Sequence, residues 1–408
     1  MRRADRPEPA PVSDPSGHEA GLRRTLGPVR VTASGVGIII GAGIYVLIGS
    51  ATAKAGAAVW LSFVLAGVLS ALTALSYAEL ASMFPRSSAE YEYTRQVAPA
   101  WVAFLVGWMM IAGMLVAAAA IALGFASYAS QLLSVPHRPT AIALLGIETL
   151  IAAAGINRST AVTVALSVAQ VGGLLFVIVI GVPHLGQVDL LAGANLDGVL
   201  GASALVFFAF IGFDEVITLA EETRDPTRVV PRALLLALGV STVLYVAVAA
   251  ASVSVIGADA LGASARPLAD VMAHSLGSTA SDVVALIAVL STFNTSLLAL
   301  TAGSRLLYGM ASSGAMPRAL TFVEPRTGAP VVAVVVSAVT AGAFVLVGDL
   351  TLVASVTDFA IYVVFVAVNL AVVVLRRRQP ATPRPFRSPG AVGWVPVLPL
   401  LGLVAVAV

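Results

Sequence analysis

Cysteine is absent from the 408 residues, and with it go disulfides, thiolate metal sites and cysteine nucleophiles. Charge is scarce as well: 11% of residues are Asp, Glu, Lys or Arg, against 59% hydrophobic. A chain of that composition has too little polar surface to cover a water-soluble domain. Histidine occurs at His18, His137, His184 and His274, each in the N-terminal tail or in a polar joint. A membrane-embedded hydrolase or acyltransferase needs a nucleophile with its base, or paired carboxylates, inside the bilayer, and the apolar segments offer no Ser and His pair. Neither a catalytic residue nor a cofactor or metal site is expected.

What the chain does have is apolar stretches long enough to cross about 30 Å of hydrocarbon, which takes roughly 17–25 helical residues each. They fall near 31–50, 57–83, 100–133, 139–156, 161–182, 199–221, 232–256, 281–310, 329–348 and 350–375, and an eleventh begins near 393. Repeated spans of this kind mean helices, because a helix satisfies its own backbone groups in lipid. Residues 1–30 are rich in Pro and Arg with no apolar core, which predicts a disordered cytoplasmic tail rather than a signal peptide.

With the N-terminus cytoplasmic, all of the 23 basic residues except Lys54, Arg138 and Arg266 fall on the inner side. This asymmetry supports both the orientation and the span count. The same reading makes the short Arg clusters topology signals rather than a nucleic-acid surface. A cell membrane, plasma or inner, is the expected location.

Span 1 contains "GVGIIIGAGIYVLIG", with Gly35, Gly37, Gly41, Gly43 and Gly49. Each glycine costs a helix roughly 1 kcal/mol against Ala. Two explanations stand: close packing against a neighbouring helix, or local unwinding. Span 6, "FFAFIGFDEVITLAEET", places Gly212 near its middle, followed by Asp214 and Glu215. Charged side chains at that depth imply a polar cavity or a partner.

Spans 1 and 6 each open a five-helix half, and an odd number of spans makes the halves inverted. Interrupted segments at corresponding positions in two such halves point to a transporter's binding site. Freed N–H groups around residues 41–43 suit a carboxylate, and freed carbonyls suit an ammonium group. An amino acid carries both.

Four stretches carry a family likeness: "IIGAGIYVLIG", "SYAELASMFPRSSAEYEY", "FFAFIGFDEVITLAEETRDPTRVVPRAL" and "SRLLYGMASSGAMPRAL", with a weaker fifth in "LRRRQPATPRPFRSPG". In these the chain resembles the amino acid, polyamine and organocation (APC) superfamily, closest to bacterial permeases related to the cationic amino acid transporters. The resemblance implies an all-α polytopic membrane protein with a LeuT-like five-plus-five inverted repeat and broken helices 1 and 6. Residues 31–182 form the first repeat, 199–375 the second, and 393–408 the start of an incomplete eleventh helix.

By that resemblance Gly41, Ala42 and Gly43 present N–H groups to the substrate carboxylate. Carbonyls near Ile40 and at Phe207, Ala209 and Phe210 receive the ammonium, and Phe208 and Ile211 flank the side chain, although ordinary core packing is the plain alternative for Phe208. Tyr93 and Asp214 belong to the cytoplasmic gating region. Departures from the family pattern are Gln170, where proton-coupled relatives have a lysine, Ser88 and Ala89 in place of a Gly-Gly pair, and the end at Val408.

Glu148, Asp214, Glu215 and Asp358 lie at membrane depth and require partners, a wet cavity or protonation. Asp214 is the leading proton carrier and Asp358, one turn from Tyr362, the second, with fixed hydrogen bonds in the bundle as the plain alternative. Glu79, Glu221 and Glu222 read as surface ion pairs of little energetic weight. Ser291, Thr292 and Thr295 offer oxygens to a sodium ion, unless they bond to the carbonyl one turn earlier. The only acids near the central cavity lie on the cytoplasmic side of the break, and the one basic residue within the spans is Arg305 at the end of span 8, so a neutral amino acid is favoured, moved by a proton-coupled symporter or an exchanger. A sodium-coupled or organocation transporter, a channel and a sensor are the other readings. Gly43→Val is expected to abolish binding and leave a folded protein.

Overall fold

The computed structural model describes residues 26–84, 89–154, 160–312 and 314–407. The expected N-terminal tail up to residue 25, with Arg86, Ser88 and Arg158, lies outside the described residues, as do the side chains of Glu221 and Glu222. The chain opens with α1 (Pro28–Ile39) and α2 (Gly43–Ala55), then α3 (Val59–Met83), a short α4 (Ala89–Arg95), α5 (Ala100–Leu133), α6 (His137–Ala153) and α7 (Thr160–Gly181). It continues with α8 (Leu196–Val206), α9 (Pro226–Ile256), the short α10 (Ala258–Ala263) and α11 (Pro267–Leu276), then α12 (Ser278–Ser312), α13 (Val331–Val347) and α14 (Leu350–Arg378). A two-stranded hairpin, β1 (Ala391–Val392) with β2 (Val395–Pro396), precedes α15 (Val397–Ala407).

Seven helical stretches among the described residues are long and apolar enough to cross a membrane, and the protein is a multi-pass helical membrane protein. Helix bounds follow the hydropathy runs to within a few residues, because in lipid the length of an apolar run sets the length of the helix. Differences arise where polar residues also take helical form. Helix α1 starts at Pro28, a position suited to a first turn, and so begins inside the stretch read as tail. Helices α4, α10 and α11 occupy joints that hydropathy reads as loops.

Helix α5 packs along α12 and α14, α3 along α9, and α1 along α9. Runs of small residues permit this closeness, as in Ala117–Ala120 of α5, all buried. Polar bonds add specificity between α3 and α14. Ser76 donates to Asn369 Oδ1 at 2.6 Å, and Asn369 donates to Thr73 at 3.0 Å.

One turn further on, Glu79 corrects the surface ion-pair reading. It is 1% exposed, accepts the Nε of Arg376 at 2.9 Å and pairs also with Arg376 Nη2 and Arg384. Helical periodicity carries residue 79 onto the same α14-facing side as 76, where burial makes the pair tight rather than negligible.

Candidate functional site

The first break spans three residues. Helix α1 ends at Ile39, Ile40 leaves helical geometry with φ −76° and ψ 74°, and Gly41 N–H donates to the Ile39 carbonyl at 2.8 Å. Helix α2 then begins at Gly43, with Ala42 as its N-cap and no side-chain cap. The first-turn N–H groups of a helix have no intrahelical acceptor, so α2 starts with open donors at the positive end of its dipole.

Both explanations of the glycines hold. A Cβ on Gly41 would stand 3.0 Å from Thr295 Oγ1, and one on Gly43 would collide with the backbone of Ala209. Gly43→Val is therefore a packing lesion, and the clash with Ala209 argues against the sequence expectation that it leaves the fold intact.

The second break faces the first. After α8 the chain tightens into a 3₁₀ turn over Phe207–Phe210, becomes extended at Ile211, and turns at Gly212 with φ 108°, a region that side chains resist. Asp214–Glu222 continues as 3₁₀ rather than α-helix, a geometry that commonly marks a hinge. Asp214 Oδ1 accepts the Gly212 N–H at 3.1 Å, so this carboxylate also fastens the break.

Tyr245 of α9 joins the two breaks. Its hydroxyl reaches the Ile39 carbonyl at 2.8 Å and the Ala209 carbonyl at 3.0 Å. The Ala209 carbonyl, expected for an ammonium group, already has this partner, and carries a second lone pair. Sequence reasoning missed Tyr245, since nothing local in "VSTVLYVAV" distinguishes it from a core tyrosine.

Between the breaks lies a cavity of about 70 Å³. At roughly 10–15 Å³ for each water, it holds a few water-sized groups. Gly41, Ala42, Gly43, Phe208, Ala209, Ile211 and Asp214 line it, together with Glu215, Thr295, Asn294, Met110 and Met114. The walls are mostly apolar, with two carboxylates, Asp214 and Glu215, among them.

Ile40, Phe207 and Phe210 are buried elsewhere in the core. Phe207 packs on Tyr362 with ring centres 4.7 Å apart, and Phe210 on Tyr245 at 5.2 Å. Only their backbones serve the breaks.

Towards the arginine-rich end, Tyr77, Phe213 and Phe365 interlock at 5.2–5.7 Å, and Tyr93 stands 6.4 Å from Tyr77. Glu90 of α4 completes this group, accepting the Tyr77 hydroxyl at 3.2 Å. Burial, and next the charge of Asp214, push the Glu90 carboxyl up to about 7. Sequence reasoning also missed Glu90. Its neighbours in "SSAEYEY" give no sign that α4 packs on α5 and α14 and brings residue 90 near Asp214.

Of the remaining candidates Thr295 lines the cavity, and Gln170, Asp358, Tyr362, Glu148 and Thr292 do not. Gln170 is 1% exposed, its side-chain amide has no hydrogen-bond partner, and its carbonyl accepts Tyr45 at 2.7 Å. Asp358 is 3% exposed with neither carboxylate oxygen hydrogen-bonded. Tyr362 donates to the Ala204 carbonyl at 3.3 Å rather than to Asp358. Glu148 accepts Ser296 at 2.8 Å. Thr292 and Thr295 bond back to Ala288 and Ser291 carbonyls at 2.7 and 2.9 Å, the plain alternative to ion ligation.

Comparison with known proteins gives the family. A family profile described as amino acid permease matches residues 26–408. The branched-chain amino acid permease BcaP of Bacillus subtilis (strain 168) is 34% identical, over 94% of this chain and 87% of its own. The methylthioribose transporter of the same organism is 30% identical over 93% and 86% respectively. The vacuolar cationic amino acid transporter 4 of Arabidopsis thaliana is 31% identical over 88% and 64%.

Proposed function

This chain belongs to the amino acid permease family, and from that premise we propose that it carries a neutral amino acid with an apolar side chain by alternating access. The observation that supports the substrate is the pair of facing breaks around one cavity. The open N-terminus of α2 offers N–H donors to a carboxylate, and the carbonyl ends of α1 and α8 offer acceptors to an ammonium group. The apolar walls at Met110, Met114, Phe208 and Ile211 suit an aliphatic side chain, the class named for BcaP.

In this reading residues 31–182 and 199–375 are the two inverted repeats, and 393–408 begins an eleventh helix. The N-terminus is cytoplasmic and the membrane is that of the cell. Rocking of one group of helices opens the cavity on alternate sides. Asp214 and Glu90 at the cytoplasmic end carry the coupling proton, since Gln170 has no titratable group. The 3₁₀ segment that bears Asp214 supplies the moving element.

A thermal-shift screen of purified protein against the twenty amino acids, with and without sodium and at two pH values, tests the substrate and the ion together. A ligand at a hundredfold its Kd stabilises the folded state by about 2.7 kcal/mol. Stabilisation by aliphatic amino acids at both sodium levels supports the proposal. Methylthioribose carries neither a carboxylate nor an ammonium group, and selective stabilisation by it would overturn the backbone site. Asp214→Asn should remove the dependence of uptake on a pH gradient. Unchanged dependence takes Asp214 out of the mechanism.

A further inference from the structure

A second cavity, of about 510 Å³, lies at the arginine-rich end of the bundle, where Arg376, Arg384, Arg387, Thr382 and Trp394 line it. None of these residues lines the central cavity. Its shape follows from a strap. After α14 the chain folds back over α3, so that Ser388 N–H donates to Glu79 Oε2 at 2.9 Å and Phe386 N–H donates to Ser82 Oγ at 3.2 Å. The strap brings Arg384 to within 3.2 Å of the carboxylate that already holds Arg376.

Three guanidinium groups therefore line one cavity, and Glu79 is the carboxylate paired with two of them. The pairing is incomplete. Arg376, whose side chain is 2% exposed, has its Nη1 buried with no hydrogen-bond partner. A buried cationic donor left without an acceptor is costly, and an anionic oxygen relieves it best. Arg387 is exposed, spends one N–H on the Gly393 carbonyl at 3.2 Å, and faces the same space. Trp394, 50% exposed beside it, adds an indole of the kind that collects at the level of lipid headgroups.

We propose that this cavity binds a phosphate-bearing anion, the unpartnered Nη1 of Arg376 and the guanidinium of Arg387 taking its oxygens. The same chemistry is supplied by a phospholipid headgroup or by free phosphate. Its place, between the end of α14 and the start of α15, is where basic pockets meet anionic headgroups. The site does not depend on the transport reading, because it shares no residue with the central cavity.

The test titrates phosphatidylglycerol into full-length protein in zwitterionic mixed micelles, and separately inorganic phosphate against chloride at constant ionic strength, following thermal stability. Arg387→Glu is compared with Arg377→Glu, an equal change of charge at an exposed arginine outside the cavity. Wild type and Arg377→Glu should be stabilised. Arg387→Glu should bind at least about tenfold more weakly, the loss of one charged hydrogen bond. A response to phosphatidylglycerol alone assigns a headgroup, and a response to inorganic phosphate assigns the free anion. No stabilisation by either, or equal weakening in the two variants, overturns the site.

Discussion

Tyr245 illustrates what a single atom does at this site. Its hydroxyl sits on carbonyls from both breaks, Ile39 and Ala209, so it ties the ends of α1 and of the first 3₁₀ turn to α9. Tyr245→Phe keeps the ring packing and removes the single hydroxyl proton that the two carbonyls share, at a cost of about 1–3 kcal/mol. A denaturation midpoint lowered by that amount, with weaker substrate binding, is the expected result. Unchanged binding would make the contact purely structural.

Glu90 offers a pH signature. Its folded value, about 7, lies above the ordinary value of 4.5. The stability it contributes is therefore present below about pH 4.5 and lost as pH rises through about 7. Melting temperature should fall across that interval, and the fall should be shallower in Glu90→Gln. The glycines divide by what they touch. Gly41→Ala meets only the side chain of Thr295, at 3.0–3.1 Å, whereas Gly43→Val drives α2 against backbone. The first should fold and bind poorly, and the second should lose folded yield by size-exclusion chromatography.

Among elements, α3 and α14 are joined across the chain by side-chain bonds. Thr73, Ser76 and Glu79 present one face to Asn369 and Arg376. Removing one partner of a buried ion pair leaves an uncompensated charge and typically costs about 3–5 kcal/mol. Glu79→Ala should thus be far more damaging than a surface change, and the loss should shrink when Arg376→Met is added, since one of the two stranded charges is then gone and only that of Arg384 remains. A double-mutant cycle on thermal stability reads this directly. The second half of span 6 is the opposite case. As a 3₁₀ segment with poorer hydrogen-bond geometry, its amides should exchange with deuterium faster than those of α5 or α12, and substrate should slow them.

For the whole molecule, the distribution of basic residues predicts the orientation. The order of the spans assigns every basic residue except Lys54, Arg138 and Arg266 to the same side as the N-terminus. A protease site placed ahead of residue 26 should be cut in inside-out vesicles and protected in right-side-out ones. Reconstituted protein should accumulate an aliphatic amino acid against its gradient, which a channel cannot do.

Much of this architecture was legible in the residues themselves. The long α5, α9, α12 and α14 follow from apolar runs, and the break at Gly41–Gly43 and the turn at Gly212 from glycine, because hydropathy and backbone freedom are properties of a few consecutive residues. What tertiary structure alone decided was partnership. Tyr245 lies 206 residues from Ile39, and Arg376 lies 297 from Glu79. Glu90 gained its place beside Tyr77 and Asp214 when α4 folded back. A donor and acceptor so far apart in the chain leave no local pattern. Only packing brings them within 3 Å or so, where the absence of water makes each bond count.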